Sequence, residues 1–136
     1  MNVRVYVEFV SRTVSGMEKK REEDIQSLTS DERKAISLLK KSLQEKFGLV
    51  KLILFGSKAR GDHTPDSDVD LLALVKEPKT QELRSAVSET QFEILLQVDA
   101  PIMCKVENYD DWVNGKGEVW LPLRDNVERE GLEIEL

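Results

Sequence analysis

Two short apolar runs on either side of a polar loop constrain the fold of this chain more than any other feature. The first run, LVKLILF at 49–55, is rich in β-forming residues and ends at a glycine, and the second, LLALV, covers 71–75. Short apolar runs bounded by turn residues are typical of buried strands. We therefore expect two strands, near 49–56 and 68–75, joined by the polar loop.

The turn after the first run has the composition of a phosphate-binding loop. Gly56 can adopt a positive φ and lets a ligand approach the backbone closely, while Ser57 adds a hydroxyl group. Lys58 and Arg60 add positive charge, and Gly61 allows the chain to leave the turn sharply. A charged phosphate tail would suit this loop, and we predict that these residues bind it.

Two aspartates, Asp68 and Asp70, occupy alternate positions at the start of the second predicted strand. Alternate residues of a strand point to the same face of the sheet, so the two carboxylates should lie close together. They repel each other unless they are protonated or bridged by a cation, and carboxylate oxygens suit Mg²⁺ or Mn²⁺. The pair predicts a divalent metal site, with the alternative that both acids belong to a solvated turn.

Taken together, GSKARGDHTPDSDVDLL resembles the active-site signature of the DNA polymerase β-like nucleotidyltransferases, in which ten residues separate Gly-Ser from Asp-x-Asp. Within that superfamily the chain is most similar to the minimal nucleotidyltransferases. The resemblance implies an α/β (α+β) palm-like fold, with a mixed β-sheet flanked by helices. It also implies a reaction in which a hydroxyl attacks the α-phosphate of a nucleoside triphosphate. Gly56 and Ser57 would hold the triphosphate, with ATP as substrate, and Asp68 and Asp70 would bind two Mg²⁺ ions.

The resemblance further implies a third carboxylate, supplied by a later strand for metal binding and catalysis. One candidate, Glu93, lies on the polar face of a helix predicted near 80–97. The other, Asp99, begins a strand predicted at 99–106, on the face opposite its apolar residues. We predict that Asp99 is the third catalytic and metal-binding acid, with the alternative that it is simply an acid at a helix-to-strand junction. Pro101 indicates an edge strand or a bulge.

The composition of the chain limits the partners, the location and the covalent cross-links that we expect. The net charge of −6 argues against general nucleic-acid binding, which depends on lysine and arginine neutralising phosphates. The chain contains no run of about 18 apolar residues and no signal-peptide pattern, so we expect no membrane association and a cytoplasmic location. The single cysteine, Cys104, cannot form an internal disulfide bond.

We divide the chain into an N-terminal extension, 1–28, and a nucleotidyltransferase domain with a C-terminal helical tail, 29–136. Alternating apolar residues at 3–9 predict a strand that pairs with the sheet edge or with a second copy of the chain, which would form a homo-oligomer. A capping box and an apolar stripe predict a helix near 30–47. In the tail we expect a short helix at 122–130, and Trp112 and Trp120 in the core or in a lid, or stacked on a base or a partner.

The family comparison suggests a biological role. Minimal nucleotidyltransferases are often encoded beside a helical ribonuclease toxin of the HEPN type, and act as its antitoxin by attaching AMP to it. The resemblance thus implies transfer of AMP from ATP to a hydroxyl of a HEPN-like partner protein. Two alternatives stay open: a non-catalytic module that masks its partner, and an enzyme that modifies a small molecule such as an antibiotic. The absence of an evident substrate domain disfavours the second.

Overall fold

The structure, a computed structural model, describes residues 16–115 and 119–136. The strands are β1 (Lys19–Lys20), β2 (Leu49–Phe55), β3 (Val69–Val75), β4 (Ile102–Asn108) and β5 (Leu132–Ile134). The helices are α1 (Ser30–Phe47), α2 (Ser57–Arg60), α3 (Gln81–Gln97), α4 (Tyr109–Asn114) and α5 (Leu121–Glu130). The strands form one five-stranded sheet in the order β1-β5-β2-β3-β4. The sheet is mixed, because β2 is antiparallel to both β3 and β5, whereas β3 and β4 are parallel.

Apolar side chains cover both faces of the central strands, which explains why β2 and β3 read as nearly continuous apolar runs. On one face, α1 and α3 pack against the sheet around Ile36, Leu71 and Val87. On the other face, α4 and α5 supply Trp112 and Val127, which pack with the neighbouring core residues of β2 and β3. The mixed sheet flanked by helices confirms the predicted fold class.

The first helix follows the sequence prediction closely. The Thr29 hydroxyl accepts a hydrogen bond from the Glu32 backbone N–H, and the Glu32 carboxylate accepts one from the Thr29 N–H, so the capping box is complete. Gly48, with φ of 66°, ends the helix and leads directly into β2. This arrangement fixes the start of the strand that carries the Gly-Ser turn.

The predicted strand at 99–106 requires a correction. The observed strand, β4, covers Ile102–Asn108, and Asp99 lies in the loop before it. Pro101 has no N–H to offer a neighbouring strand. Its carbonyl accepts a hydrogen bond from Val69 N–H, and the strand pairing begins one residue later, with Val69 opposite Ile102. β4 lies at the edge of the sheet.

The first and last strands of the described residues meet in the sheet. β1 pairs in parallel with β5, and β5 pairs with β2, although neither β1 nor β5 is predicted from the sequence. Ile25 and Leu28, from the predicted extension, are buried in the core with the rest of the domain. The strand predicted at 3–9 lies outside the described residues. Across 16–115 and 119–136, no helix is both long and apolar enough to span a membrane.

Candidate active site

The Gly-Ser turn and the aspartate pair come together because β2 and β3 are antiparallel neighbours. Phe55, the last residue of β2, lies opposite Asp70. Gly56 follows with φ of 76°, and a Cβ atom placed on it would lie 2.5 Å from Asp70 Oδ2. Only glycine meets both conditions, since other residues are strained at that φ and would collide with the carboxylate. The turn and Asp70 therefore form one compact site.

The loop between the turn and β3 is held by its own hydrogen bonds. Gly61, with φ of 85°, ends α2 and donates to the Ser57 carbonyl. The Thr64 N–H then donates to Ser67 Oγ at 2.8 Å, and the Ser67 N–H donates to the Thr64 carbonyl. The resulting turn delivers Asp68 to the start of β3.

Asp68 and Asp70 differ in their exposure to solvent. Asp68 is exposed and Asp70 is half-buried. Burial raises the pKa of the Asp70 carboxyl above its usual 3.8, and the nearby Asp68 carboxylate raises it further, while Lys105 and Arg60 oppose the change. Asp70 is thus a carboxylate whose charge the fold does not fully compensate. Such a group is expected to attract either a proton or a cation.

Arg60 stands at the edge of this site between two acids. Its Nη1 donates to both carboxylate oxygens of Glu130, at 3.0 and 3.1 Å, and its Nε donates to Asp62. Glu130 also accepts a hydrogen bond from the Gly56 N–H, at 3.1 Å. The last residue of α5 is therefore bonded to two of the groups that the sequence predicts for phosphate binding.

Lys58 is placed differently from the other predicted nucleotide-binding residues. Its side chain is buried, and its Nζ lies 3.0 Å from Glu32 Oε1 and 3.4 Å from the Ser27 carbonyl. The Ser27 hydroxyl donates in return to the Lys58 carbonyl at 2.6 Å. This ammonium group ties the turn to the start of α1, and its hydrogen bonds are directed into the protein. We assign Lys58 a structural role in place of the predicted contact with nucleotide.

The predicted third carboxylate does not join the aspartate pair. Asp99 is exposed in the loop before β4. Within 16–115 and 119–136, no three histidine, cysteine or acidic side chains are grouped so that they could hold one metal ion. On β4, the residue opposite Asp70 is Met103, and the next residue on the same face is Lys105, opposite Leu72. The neighbouring strand thus presents a methionine and a lysine beside Asp70.

Two grooves run along the edge strand. One, of about 320 Å³, includes Lys105 in its lining together with Arg84 and the exposed Trp120. The other, of about 340 Å³, is lined mostly by apolar side chains of α3, of β4 and of the loop between them, among them Phe92 and Met103. The two tryptophans therefore differ in their exposure. Trp112 is fully buried in the core, whereas Trp120 is exposed and accessible to a ligand.

Comparison with known proteins identifies the family. A family model described as a nucleotidyltransferase domain matches residues 36–128, more than half of the chain and including the whole turn and the aspartate pair. The chain belongs to the nucleotidyltransferase domain family. It is an enzyme of the nucleotidyltransferase kind, in agreement with the fold and with the predicted activity class.

Two curated relatives from Methanocaldococcus jannaschii resemble this nucleotidyltransferase, and both are named "putative protein adenylyltransferase". One is 39% identical over 74 residues, which cover 45% of this chain and 75% of the relative. The other is 48% identical over 44 residues, covering 31% of this chain and 44% of the relative. A crystal structure of a "putative nucleotidyltransferase" from Sulfolobus solfataricus is 23% identical, with a TM-score of 0.41, over 62% of this chain and 78% of that one.

Sequence reasoning missed Glu130 and Lys105 at the site of this nucleotidyltransferase. The position of Glu130 follows from strand pairing, because Leu132 lies opposite Leu54 in the antiparallel β2–β5 pair, which places residue 130 near residue 56. A strand prediction at 132–134 would have revealed it. Lys105 lies in the same alternation as Asp99, so the pattern that predicts a site residue at 99 also places residue 105 on that face.

Proposed function

We propose that this nucleotidyltransferase is a metal-dependent protein adenylyltransferase that transfers AMP from ATP to a hydroxyl group of a partner protein. The observation that carries the proposal is the aspartate pair directly beside the Gly56 turn. Asp70 lies in contact distance of the turn, and its pKa is raised by burial and by Asp68. A triphosphate at the turn would lie beside two carboxylates and would require cations between them.

The residues of the site suit a hard divalent cation. Asp70 lies on β3 and Asp68 immediately precedes it, so both offer carboxylate oxygens at the start of this strand, and neither forms an ion pair with another residue in the described parts of the chain. These two residues would hold Mg²⁺ or Mn²⁺. When bound, the metal would stabilise charge on the phosphates and lower the pKa of the attacking hydroxyl.

The chain's own groups would position the substrates. The Gly56 N–H and the Arg60 guanidinium would bind phosphate oxygens, and Ser57, at the first position of α2, would add its hydroxyl. The acceptor oxygen attacks the α-phosphorus, the bond from that phosphorus to the bridging oxygen breaks, and pyrophosphate leaves. The acceptor proton passes to solvent. Asp99 could receive it only if its exposed loop moved towards Asp70.

An acceptor on a protein is supported by the relatives' names and by the surface of the edge strand. Phe92, Leu95 and Met103 are 60%, 46% and 56% exposed, and all line the apolar groove. Met103 is also the strand neighbour of Asp70. Exposed apolar surface of this kind is typical of protein-binding sites. The family resemblance suggests a HEPN-like helical protein as the partner, with a tyrosine hydroxyl as the acceptor.

The same apolar groove would also serve a non-catalytic antitoxin that masks its partner, and one experiment separates the two functions. The protein is incubated with Mg²⁺, ATP and a co-encoded helical partner, and the partner is analysed by intact mass spectrometry. We expect the mass of AMP to be added by the wild type and by Asp66→Asn, a matched control for an exposed acid of the same loop, but not by Asp70→Asn. Full neutralisation of the partner by Asp70→Asn, with no added mass, would favour masking.

A further inference from the structure

A carboxylate of the protein itself accepts hydrogen bonds from two of the groups proposed to bind phosphate. Glu130 Oε1 accepts a hydrogen bond from the Gly56 N–H, and both Glu130 oxygens accept from Arg60 Nη1. The Glu130 side chain is only 14% exposed. Its position reproduces the bonding that a phosphate oxygen would make with the same two donors.

The two arrangements exclude each other at Gly56. A backbone N–H has a single hydrogen, and here it is directed at Glu130. Arg60 is further engaged on its other side by Asp62, 3.1 Å from Nε. A nucleotide that uses the turn must therefore replace Glu130 as the acceptor. It must also overcome the repulsion between its own phosphates and this carboxylate.

We propose that Glu130 is an internal competitor of the nucleotide, which closes the phosphate-binding turn until a triphosphate displaces it. This inference rests on the proposed function, because it concerns the same site. Displacement requires rotation of the Glu130 side chain, while the end of α5 stays in place. Gly131 is packed so tightly against β2 that a Cβ atom on it would lie 2.9 Å from Ile53 Cγ2, which fixes the backbone at this point.

The competition has a consequence for selectivity. A ligand must offer more than one carboxylate-like contact to replace an acceptor that is already bonded to both Gly56 and Arg60. The phosphates of a triphosphate, accompanied by a divalent cation on Asp68 and Asp70, provide several such contacts. A single orthophosphate ion provides fewer. Glu130 thus lowers the affinity of the turn for any anion, and it favours Mg²⁺–triphosphate ligands over orthophosphate.

The test is isothermal titration of the full chain with Mg²⁺–ATP, and with Mg²⁺ and inorganic triphosphate as a probe without a base. The variants are Glu130→Gln, which keeps the size of the side chain but removes its charge, and Glu130→Ala. The matched control is Glu128→Gln, on the same helix, whose carboxylate lies 3.3 Å from Arg124. We expect both Glu130 variants to bind each ligand about tenfold more tightly, with KM lowered by the same factor and kcat unchanged, and the control to match wild type.

Each other outcome is decisive. Equal or weaker binding by Glu130→Gln would overturn the proposal, since the carboxylate would then support the site or be irrelevant to it. Tighter binding with loss of kcat would also overturn it, because Glu130 would be needed for the chemistry. If Glu130→Ala does not fold, Glu130→Gln alone decides. Failure of the proposed function gives a different pattern, in which neither the wild type nor any variant binds ATP.

Discussion

The fold treats the buried glutamates and the aspartate pair of this protein in opposite ways. Among the described residues, four glutamates are buried, and each lies close to a lysine ammonium. The pairs are Glu22–Lys40 at 3.0 Å, Glu32–Lys58 at 3.0 Å, Glu107–Lys79 at 2.7 Å and Glu133–Lys51 at 3.0 Å. Asp68 and Asp70, by contrast, form no ion pair with another described residue.

The pKa values show the same contrast. Burial alone would raise the pKa of Glu22, but hydrogen bonds from Ser37 and Lys40 outweigh it, and the pKa lies below the usual 4.5. The pKa of Asp70 is raised, because burial and Asp68 outweigh the opposing effects of Lys105 and Arg60. Structural acids are neutralised within the fold. Asp70, in contrast, has no ion-pair partner among the described residues.

The largest expected effect comes from removing a site acid. Asp70→Asn should lower the rate of AMP transfer by at least about 1,000-fold, because a metal ligand that stabilises several kcal/mol of transition-state charge is lost. Its thermal stability should stay equal or rise, since an uncompensated charge disappears. Initial rates and melting temperatures measure both effects, with Asp66→Asn as the control. A variant that unfolds would show that Asp70 is a structural acid like Glu32.

Removing the cation of a structural ion pair should have the reverse effect, a loss of stability. Lys58→Met leaves the buried Glu32 carboxylate without its ammonium and should cost about 3 kcal/mol of the free energy of unfolding. Arg60→Met, two residues away on the exposed side of the same turn, should change stability much less and should alter ATP binding instead. Guanidinium denaturation and ATP titration of both variants test the comparison. Equal losses of stability would contradict the division between a structural and a site cation.

Glu22 and Asp70 should also respond oppositely to pH in the metal-free protein. The lowered pKa of Glu22 gives a stabilisation that is present above its unfolded value and is lost as pH falls through the folded value. The raised pKa of Asp70 means that the folded state binds the proton more tightly, so protonation of Asp70 stabilises. Between about pH 6 and 3, stability should therefore fall less steeply in Glu22→Gln and more steeply in Asp70→Asn than in wild type. Unfolding free energies at several pH values measure the slopes, and identical slopes would refute the contrast.

The smallest expected effect concerns Asp99. Because this residue is exposed in a loop and is not grouped with Asp68 and Asp70, Asp99→Asn should change the transfer rate by less than about threefold. Initial rates under saturating ATP and partner provide the measurement. A loss as large as that of Asp70→Asn would mean that the loop closes over the site and that Asp99 is the third carboxylate after all.

Most of the fold follows from local sequence patterns. The capping box at Thr29 and the glycine at 48 mark the first helix, and the apolar runs mark β2 and β3, because these features depend on neighbours in the chain. The start of β4 was misplaced, since Pro101 interrupts an alternation that otherwise extends to Asp99. β5 was missed, because a three-residue strand is defined by its partner, β2, and not by its own pattern.

The same distinction applies to the site. Gly56, Asp68 and Asp70 were recognisable because their spacing reflects one local unit, two adjacent strands and the loop between them. The side-chain direction of Lys58 depends on Glu32, which lies on another helix. The place of Glu130 depends on the distant pairing of β5 with β2. Local spacing identifies which residues are brought to a site, whereas their ion pairs are decided by elements far apart in the chain.

The central claim is that Asp68 and Asp70, which form no ion pair with another described residue, bind a cation together with the nucleotide. It is tested most directly by Mn²⁺ titration in the presence of ATP. Electron paramagnetic resonance of free Mn²⁺ reports how much metal is bound. We expect the wild type and Asp66→Asn to bind Mn²⁺ with ATP, and the double variant Asp68→Asn, Asp70→Asn to bind no more than ATP alone. Equal Mn²⁺ binding by the double variant and the wild type would contradict the claim.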